Sequence, residues 1–315
     1  MKISVIVPVF NEEKYISATL DSIINQNFDD YEVIVVDDGS SDNTLKIVED
    51  KFLNSSIPHK IIHQKNSGVS MARNRGIEES TGEYIVFVDG DDYILTNHLS
   101  QLYNPEYDFS LIQMVKKEND RLSDVHVYGA DEIDCIDFIK QELEMKIPFN
   151  FVQLLFKSDI IKNNNLKYRH DISYGEDTDF ALRALFYGNK IKISNEITYY
   201  YLQHHESLIN TSKLKRFDYI SVLEDLAEFF RENNRPDLVQ LINESRIPKA
   251  IFGNMNYFFY NDYDYDEVIE KMKEMDLFNK LSNFKGDKKF SFKIKLFLFN
   301  PKLYYIMWKK FKNSI

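Results

Sequence analysis

The sequence predicts an α/β fold, a mostly parallel sheet with helices on both faces, followed by a C-terminal helical region. Three observations carry that expectation. Residues 1–92 alternate short apolar runs with amphipathic stretches in a βαβαβαβ series, which right-handed crossovers turn into a parallel sheet. The apolar runs are continuous and rich in Val, Ile and aromatics, as strands buried on both faces are. Beyond about residue 213 the pattern is helical, with little turn chemistry and no repeat or low-complexity tract.

The elements follow in order. Ile3 to Val9 is a strand; the opening run mimics a signal peptide only faintly, since it is short, meets Pro8 and leads to Asn11, Glu12 and Glu13 without a small-residue cleavage site. A helix is expected over 14–25, a strand over 32–37 and a helix over 42–52, with Ser40, Ser41 and Asp42 as N-cap candidates. A strand over 60–64 precedes the turn and cap Asn66-Ser67-Gly68, a helix over 69–80 and a strand over 84–88. Past Asp92 the pattern loosens into β-like stretches near 109–115 and 124–128, an acidic helix near 131–144 and a return to the sheet over 151–156. A helix over 178–187 and a strand over 196–202 follow.

Composition bounds the function. The chain has 315 residues, 43% hydrophobic and 28% charged, which is globular and neither disordered nor collagenous. Its one cysteine, Cys135, makes no internal disulfide and reads as a small buried hydrophobe in a reducing, cytoplasmic setting. A net charge of −11 argues against a nucleic-acid binder. Residues 288–315 nevertheless hold eight lysines and no acid, which leaves −19 on the preceding body. No stretch approaches the roughly 20 apolar residues of a membrane span.

Four polar clusters fall where strands are expected to end: Pro8-Val9-Phe10-Asn11-Glu12, Asp37-Asp38-Gly39-Ser40, Asp89-Gly90-Asp91-Asp92 and Gly175-Glu176-Asp177. Ligands of such sheets sit at the carboxyl ends of strands. The third cluster is the most informative, because Asp89, Asp91 and Asp92 repel one another unless a cation joins them, and Asp oxygens suit Mg²⁺ or Mn²⁺. An acidic surface loop with a capping Asp is the competing reading. Neither a Gly-x-Gly-x-x-Gly fingerprint nor a P-loop is present, so phosphate binding would fall to a metal.

These motifs, in this order, resemble the inverting glycosyltransferases of family 2, which have the GT-A fold and transfer sugars from nucleotide diphosphates. The likeness rests on Pro8 to Asn11, Asp37 to Asp42, Gly68 to Asn74, Asp89 to Asp92 and Glu176-Asp177, and covers roughly residues 1–210. It implies a catalytic domain over 1–210, with a nucleotide-binding half (1–95) and an acceptor half (96–210), and a helical region over 211–315. It further implies a UDP-sugar donor carrying a hexose or N-acetylhexosamine, a glycan or lipid-linked acceptor, Mn²⁺ or Mg²⁺, and bacterial capsule, lipopolysaccharide or related synthesis on the cytoplasmic side.

Site residues follow from both sources. Phe10 can stack on a base, and Asp38 can accept a hydrogen bond from the ring N–H of uracil or thymine, which favours uridine. Arg73, or the N-terminus of its helix at Gly68, can meet diphosphate oxygens, with Lys65 a weaker candidate. By the resemblance, Pro8, Asn11, Glu12, Asn74 and Gly90 shape the nucleotide pocket, while Asp91 and Asp92 serve ribose and metal, with Asp89 a ligand or its support. Asp37 supports the turn. Asp177 is implied as the general base, with Glu176 and Phe180 near it in sequence; alternatively Glu176-Asp177 simply favours a helix start. The run Tyr199 to Ser207 looks like the family segment Tyr-Arg-x-His-x-x-Ser, which makes His204 a candidate metal or diphosphate contact; Leu202 replaces the family's Arg, and Asn150 to Gln153 lacks its frequent Trp.

The basic, aromatic-rich tail fits either a helix in an anionic membrane interface or one docked on the acidic body. Two other classes remain: a non-catalytic nucleotide-sugar-binding protein, and a phosphohydrolase using Asp89 and Asp91, which leaves Asp38 and Asp177 unexplained.

Overall fold

The computed structural model describes residues 1–118, 121–172, 174–203 and 214–311. Strands β1 (Ile3–Val9), β2 (Tyr31–Asp37), β3 (His59–His63) and β4 (Tyr84–Phe87) alternate with helices α1 (Ile16–Ile24), α2 (Thr44–Phe52) and α3 (Val69–Glu79). The four strands pair in parallel in the order β3-β2-β1-β4. Every residue of β1, β2 and β4 is buried, which explains their continuous rather than alternating hydrophobicity.

Next in the chain come β5 (Tyr93–Ile94), α4 (His98–Leu102), β6 (Phe109–Glu118), β7 (Arg121–Leu122) and β8 (Glu132–Asp134). They are followed by α5 (Cys135–Leu143), β9 (Leu154–Lys157), α6 (Ser158–Asn163), α7 (Glu176–Phe186) and β10 (Lys190–Leu202). β9 inserts antiparallel between β4 and β6, and β10 runs parallel to β6, so the sheet reads β3-β2-β1-β4-β9-β6-β10-β5. The second half is therefore mixed.

Three expected elements shift. Residues 124–128 form no strand, because the Tyr128 backbone N–H and carbonyl are both taken by the Asn195 side chain, at 2.9 and 3.1 Å. The acidic helix starts only after β8, whose residues pair with β10. β10 itself begins six residues earlier than its apolar pattern indicates, with register shifts between Ile193 and Tyr199 that break the alternation.

Registers Val9↔Asp37 and Ile6↔Phe87 bring the carboxyl ends of β1, β2 and β4 side by side. Close packing of α3 on β1 depends on Gly76: a Cβ there would lie 2.3 Å from Ile6 Cγ2. The buried Glu32 is satisfied by Ser4 Oγ and by the Thr81 amide and hydroxyl at 2.7–2.8 Å, and this tie fixes the turn ahead of β4.

The chain forms two compact units. The first gathers Met1–Ile139, Ile147–Asp171 and the chain from Glu176 through β10. The second contains Lys140–Lys146, Ile172–Gly175 and the C-terminal helices. Those are α8 (Asp218–Glu232), α9 (Pro236–Leu241), α10 (Ile247–Tyr260), α11 (Tyr265–Glu274), α12 (Leu277–Ser282), α13 (Lys288–Phe299) and α14 (Pro301–Phe311), with a π-helical turn at Ile242–Arg246. Phe217, Phe230, Phe258, Phe259 and Phe297 fill the second unit's interior, and Arg246 bonds Glu142 at 2.7 Å and the Tyr219 hydroxyl at 2.9 Å. Among the described residues, no helix is long and apolar enough to cross a membrane.

Candidate active site

The loop after β1 leaves the sheet at Phe10, which is 43% exposed. Asn11 takes a left-handed conformation (φ 56°), tolerable for Asn. Its amide donates to Ser40 Oγ and its Oδ1 accepts from Ser41 N–H at 2.8 Å, while Glu12 N–H donates to Thr44 Oγ1 at 2.7 Å. The β1 and β2 loops are thus laced together. Gly90 completes the junction with β4, since a Cβ there would meet Val9 Cγ1 at 2.8 Å and the Pro8 carbonyl at 3.2 Å. Its carbonyl accepts from the buried Thr19 hydroxyl at 2.9 Å.

At the end of β2, Asp37 is fully buried and accepts from Ser40 and from His63 Nδ1 at 2.5 Å, a turn-supporting position. Asp38 is buried as well. Its Oδ1 accepts from Gln64 Nε2 (2.8 Å) and Ser67 N–H (2.9 Å), and its Oδ2 from Gly68 N–H (2.7 Å). Asp38 therefore clamps the loop that opens α3; Gly68 has no side-chain cap of its own.

Arg73 is the centre of the arrangement. It projects from α3 and is only 5% exposed. Its Nη2 lies 3.0 Å from Asp89 Oδ1 and its Nη1 3.4 Å from Glu176 Oε1. The guanidinium stands 4.3 Å from the Phe151 ring centre and 5.3 Å from that of Tyr168. Tyr168 in turn stacks on Phe180 at 4.0 Å. The surrounding acids, Asp89 foremost, raise the Arg73 pKa against the opposing effect of burial, so it stays charged. Asn74, next on the helix, exchanges two 2.7 Å bonds with the Tyr168 backbone and so anchors one side of the aromatic box.

The three aspartates after β4 divide. Asp92 is buried, with Oδ2 accepting from the Tyr199 hydroxyl (2.7 Å) and Oδ1 from Leu202 N–H (2.8 Å). Burial, then Asp89 and Asp91, push its carboxyl well above the usual range. It ties the loop to β10. Asp89 donates its amide to the Tyr199 hydroxyl at 3.3 Å, and its side chain is 23% exposed. Asp91 is half-buried at the turn.

Glu176 and Asp177 open α7, where the helix N-terminus favours negative charge. Burial and the neighbouring Asp177 raise the Glu176 carboxyl, and Arg73 opposes them. Asp177 Oδ1 accepts from Thr178 N–H at 2.6 Å. Among the described residues its Oδ2 has no hydrogen-bond partner, and neither has Asp89 Oδ2.

Two acidic clusters 87 positions apart in sequence thus share one arginine, each presenting an open carboxylate oxygen. Lys65 is exposed on the loop before α3, and His204 lies outside the described residues. No three His, Cys, Asp or Glu side chains among the described residues converge on a metal position. One or two Asp oxygens at a strand end nevertheless fit Mg²⁺ or Mn²⁺, which take their other ligands from phosphate and water. Tyr168 escapes motif reading; Tyr199 and Phe151 fall inside segments compared with the family, but their places beside Asp92 and Arg73 come only from packing.

Residues 4–151 match the model of Glycosyl transferase family 2. The putative glycosyltransferase EpsH of Bacillus subtilis is 30% identical over 243 residues, 74% of this chain and 70% of that protein. A poly(ribitol-phosphate) beta-glucosyltransferase of Bacillus spizizenii is 35% identical over 64% of this chain, but the match spans only 32% of that longer protein. Among solved structures, Staphylococcus aureus TarS 1-349 in complex with UDP-GlcNAc superposes with a TM-score of 0.72 at 23% identity, over 97% of this chain and 88% of that one. A mannosyltransferase from Pyrobaculum calidifontis, in complex with GDP-Man and Mn²⁺, gives 0.54 at 16% identity, over 99% and 87%. These superpositions establish the GT-A fold, and the extent of the EpsH match establishes the family: the chain is a glycosyltransferase of family 2.

Proposed function

We propose that the protein is a metal-dependent, inverting transferase that moves a hexose or N-acetylhexosamine from a UDP-sugar to a hydroxyl of a glycan or lipid-linked acceptor. The observation that carries this reading is Arg73, which bridges Asp89 after β4 and Glu176, the residue next to Asp177. The UDP-GlcNAc and UDP complexes of TarS, and the Mn²⁺ of the archaeal mannosyltransferase, support the donor and metal classes.

Exposed Phe10 offers a face to the base, and Asp38 retains acceptor capacity for the uracil ring N–H after its three loop donors. Asp89 and Asp91 are the candidate ligands; a bound Mn²⁺ or Mg²⁺ would supply Lewis-acid stabilisation of charge developing on the departing diphosphate. Asp92 holds their loop in place through Tyr199 rather than facing ligand. Asp177 Oδ2 takes the proton from the acceptor hydroxyl as that oxygen attacks the anomeric carbon opposite the breaking bond, and Thr178 N–H fixes the other carboxylate oxygen. The sugar inverts. Arg73 keeps Glu176 from placing an uncompensated charge beside this base.

The test is release of nucleoside diphosphate from a panel of UDP-, GDP- and dTDP-sugars with Mn²⁺, Mg²⁺ or chelator. Metal-dependent release from a UDP-sugar is expected; chelator-resistant release, or release from GDP-sugars alone, overturns the proposal.

A further inference from the structure

The last two helices carry features that the transfer chemistry leaves unused. α13 and α14 bury one face on α10: Ile294, Phe297 and Tyr304 are buried, Phe252 lies 5.2–6.3 Å from the rings of Phe290, Phe297 and Tyr304, and Phe259 lies 4.8 Å from Tyr305. That docking is aromatic rather than ionic.

The outward side is apolar as well. Phe292 and Phe299, 67% and 85% exposed, are seven residues apart and share a face of α13. Leu303, Ile306 and Met307 are exposed at helical spacing along α14. Lysines border both stripes. Lys288, Lys289, Lys293 and Lys295 are exposed and make no ion pair among the described residues. Lys302 Nζ lies over the Tyr265 ring, 4.2 Å from its centre. A stripe of large apolar side chains rimmed by cations marks an interaction surface.

We propose that this outer face of α13 and α14 docks the protein on an anionic lipid bilayer, with both helices in the plane of the headgroups. A two-fold contact with a second copy would set lysine against lysine. A soluble polyanion would satisfy the lysines and leave Phe292, Phe299, Leu303, Ile306 and Met307 in water. An anionic membrane interface meets both demands. Docking there needs no catalysis, so its test stands apart from that of the transferase reading.

Full-length protein is sedimented with vesicles of phosphatidylcholine alone and of phosphatidylcholine with phosphatidylglycerol. Binding to the anionic vesicles only, weakened by salt, is expected. Phe299→Ser with Ile306→Ser should lower partitioning about tenfold or more, and each of Lys289→Gln, Lys293→Gln and Lys295→Gln about fivefold. Because these side chains are exposed, circular dichroism and the melting temperature should not move. No binding to anionic vesicles, equal binding to neutral ones, or variants that bind like wild type would overturn the proposal. So would a concentration-dependent dimer dissolved by the double serine variant without vesicle binding, which would assign the face to a second copy.

Discussion

Arg73→Met tests the linkage between the two acidic clusters. The substitution keeps much of the side-chain volume and removes the cation between Asp89 at 3.0 Å and Glu176 at 3.4 Å. With an effective dielectric near 20, each contact is a gross attraction of roughly 5 kcal/mol. Much of that offsets the desolvation of a guanidinium only 5% exposed, so the net loss on breaking the pair should be about 3–5 kcal/mol at pH 8. The loss should depend on pH. Burial and Asp177 already raise the Glu176 carboxyl, and Arg73 is the group that opposes them. In the variant the folded-state pKa of Glu176 rises further above its unfolded value. The folded state then binds more protons across that window, so stability falls as pH rises, by up to ~1.4 kcal/mol per unit. The deficit should be larger at pH 8 than at pH 5, and Glu176→Gln in the same chain should recover part of it. Urea unfolding of wild type, the two single variants and the double variant at both pH values reads this directly. Arg73→Met within ~0.5 kcal/mol of wild type at pH 8 would refute the reasoning, because changes that small are typical of surface sites.

Tyr199→Phe leaves the buried Asp92 Oδ2 without its 2.7 Å donor and should cost about 1.5–3 kcal/mol by urea unfolding. His98, fully buried with Nδ1 2.9 Å from Thr198 Oγ1, has its pKa lowered to about 3, so below pH 6.5 the unfolded chain takes a proton that the folded chain refuses. Stability should fall by up to ~2 kcal/mol from pH 6.5 to 5, and His98→Phe should flatten that slope. Gly90→Ala forces a methyl to 2.8 Å from Val9 Cγ1; it should destabilise by about 1–3 kcal/mol, with donor turnover falling further than stability because Asp89 and Asp91 move with it.

The parallel half of the fold was legible because β1, β2 and β4 are buried throughout and each ends in a polar cluster, while β3 at the edge is half-buried. The mixed half was not. β9 reads as an apolar run whatever its direction, and only pairing with β4 and β6 makes it antiparallel. In β10 the alternating Lys190-Ile191-Lys192-Ile193 is cut off from the apolar run that follows by register shifts between Ile193 and Tyr199. Sequence order singled out Asp38, Arg73, the β4 aspartates and Glu176-Asp177 as candidates, but not the contacts they make. Asp38 faces three donors from the loop before α3, and Arg73 is enclosed between carboxylates and aromatic rings rather than exposed. Both placements depend on contacts distant in sequence: Gly68 is 30 positions from Asp38, and Tyr168 is 95 from Arg73.

The most direct test of a single site built from Asp89, Asp91 and Asp177 pairs two readouts, UDP affinity and UDP release, on wild type, Asp91→Ala and Asp177→Asn. Asp177→Asn should bind UDP with Mn²⁺ as wild type does and release none from the donor in the presence of acceptor, while Asp91→Ala should lose metal-dependent binding as well. Turnover surviving in Asp177→Asn would contradict the account.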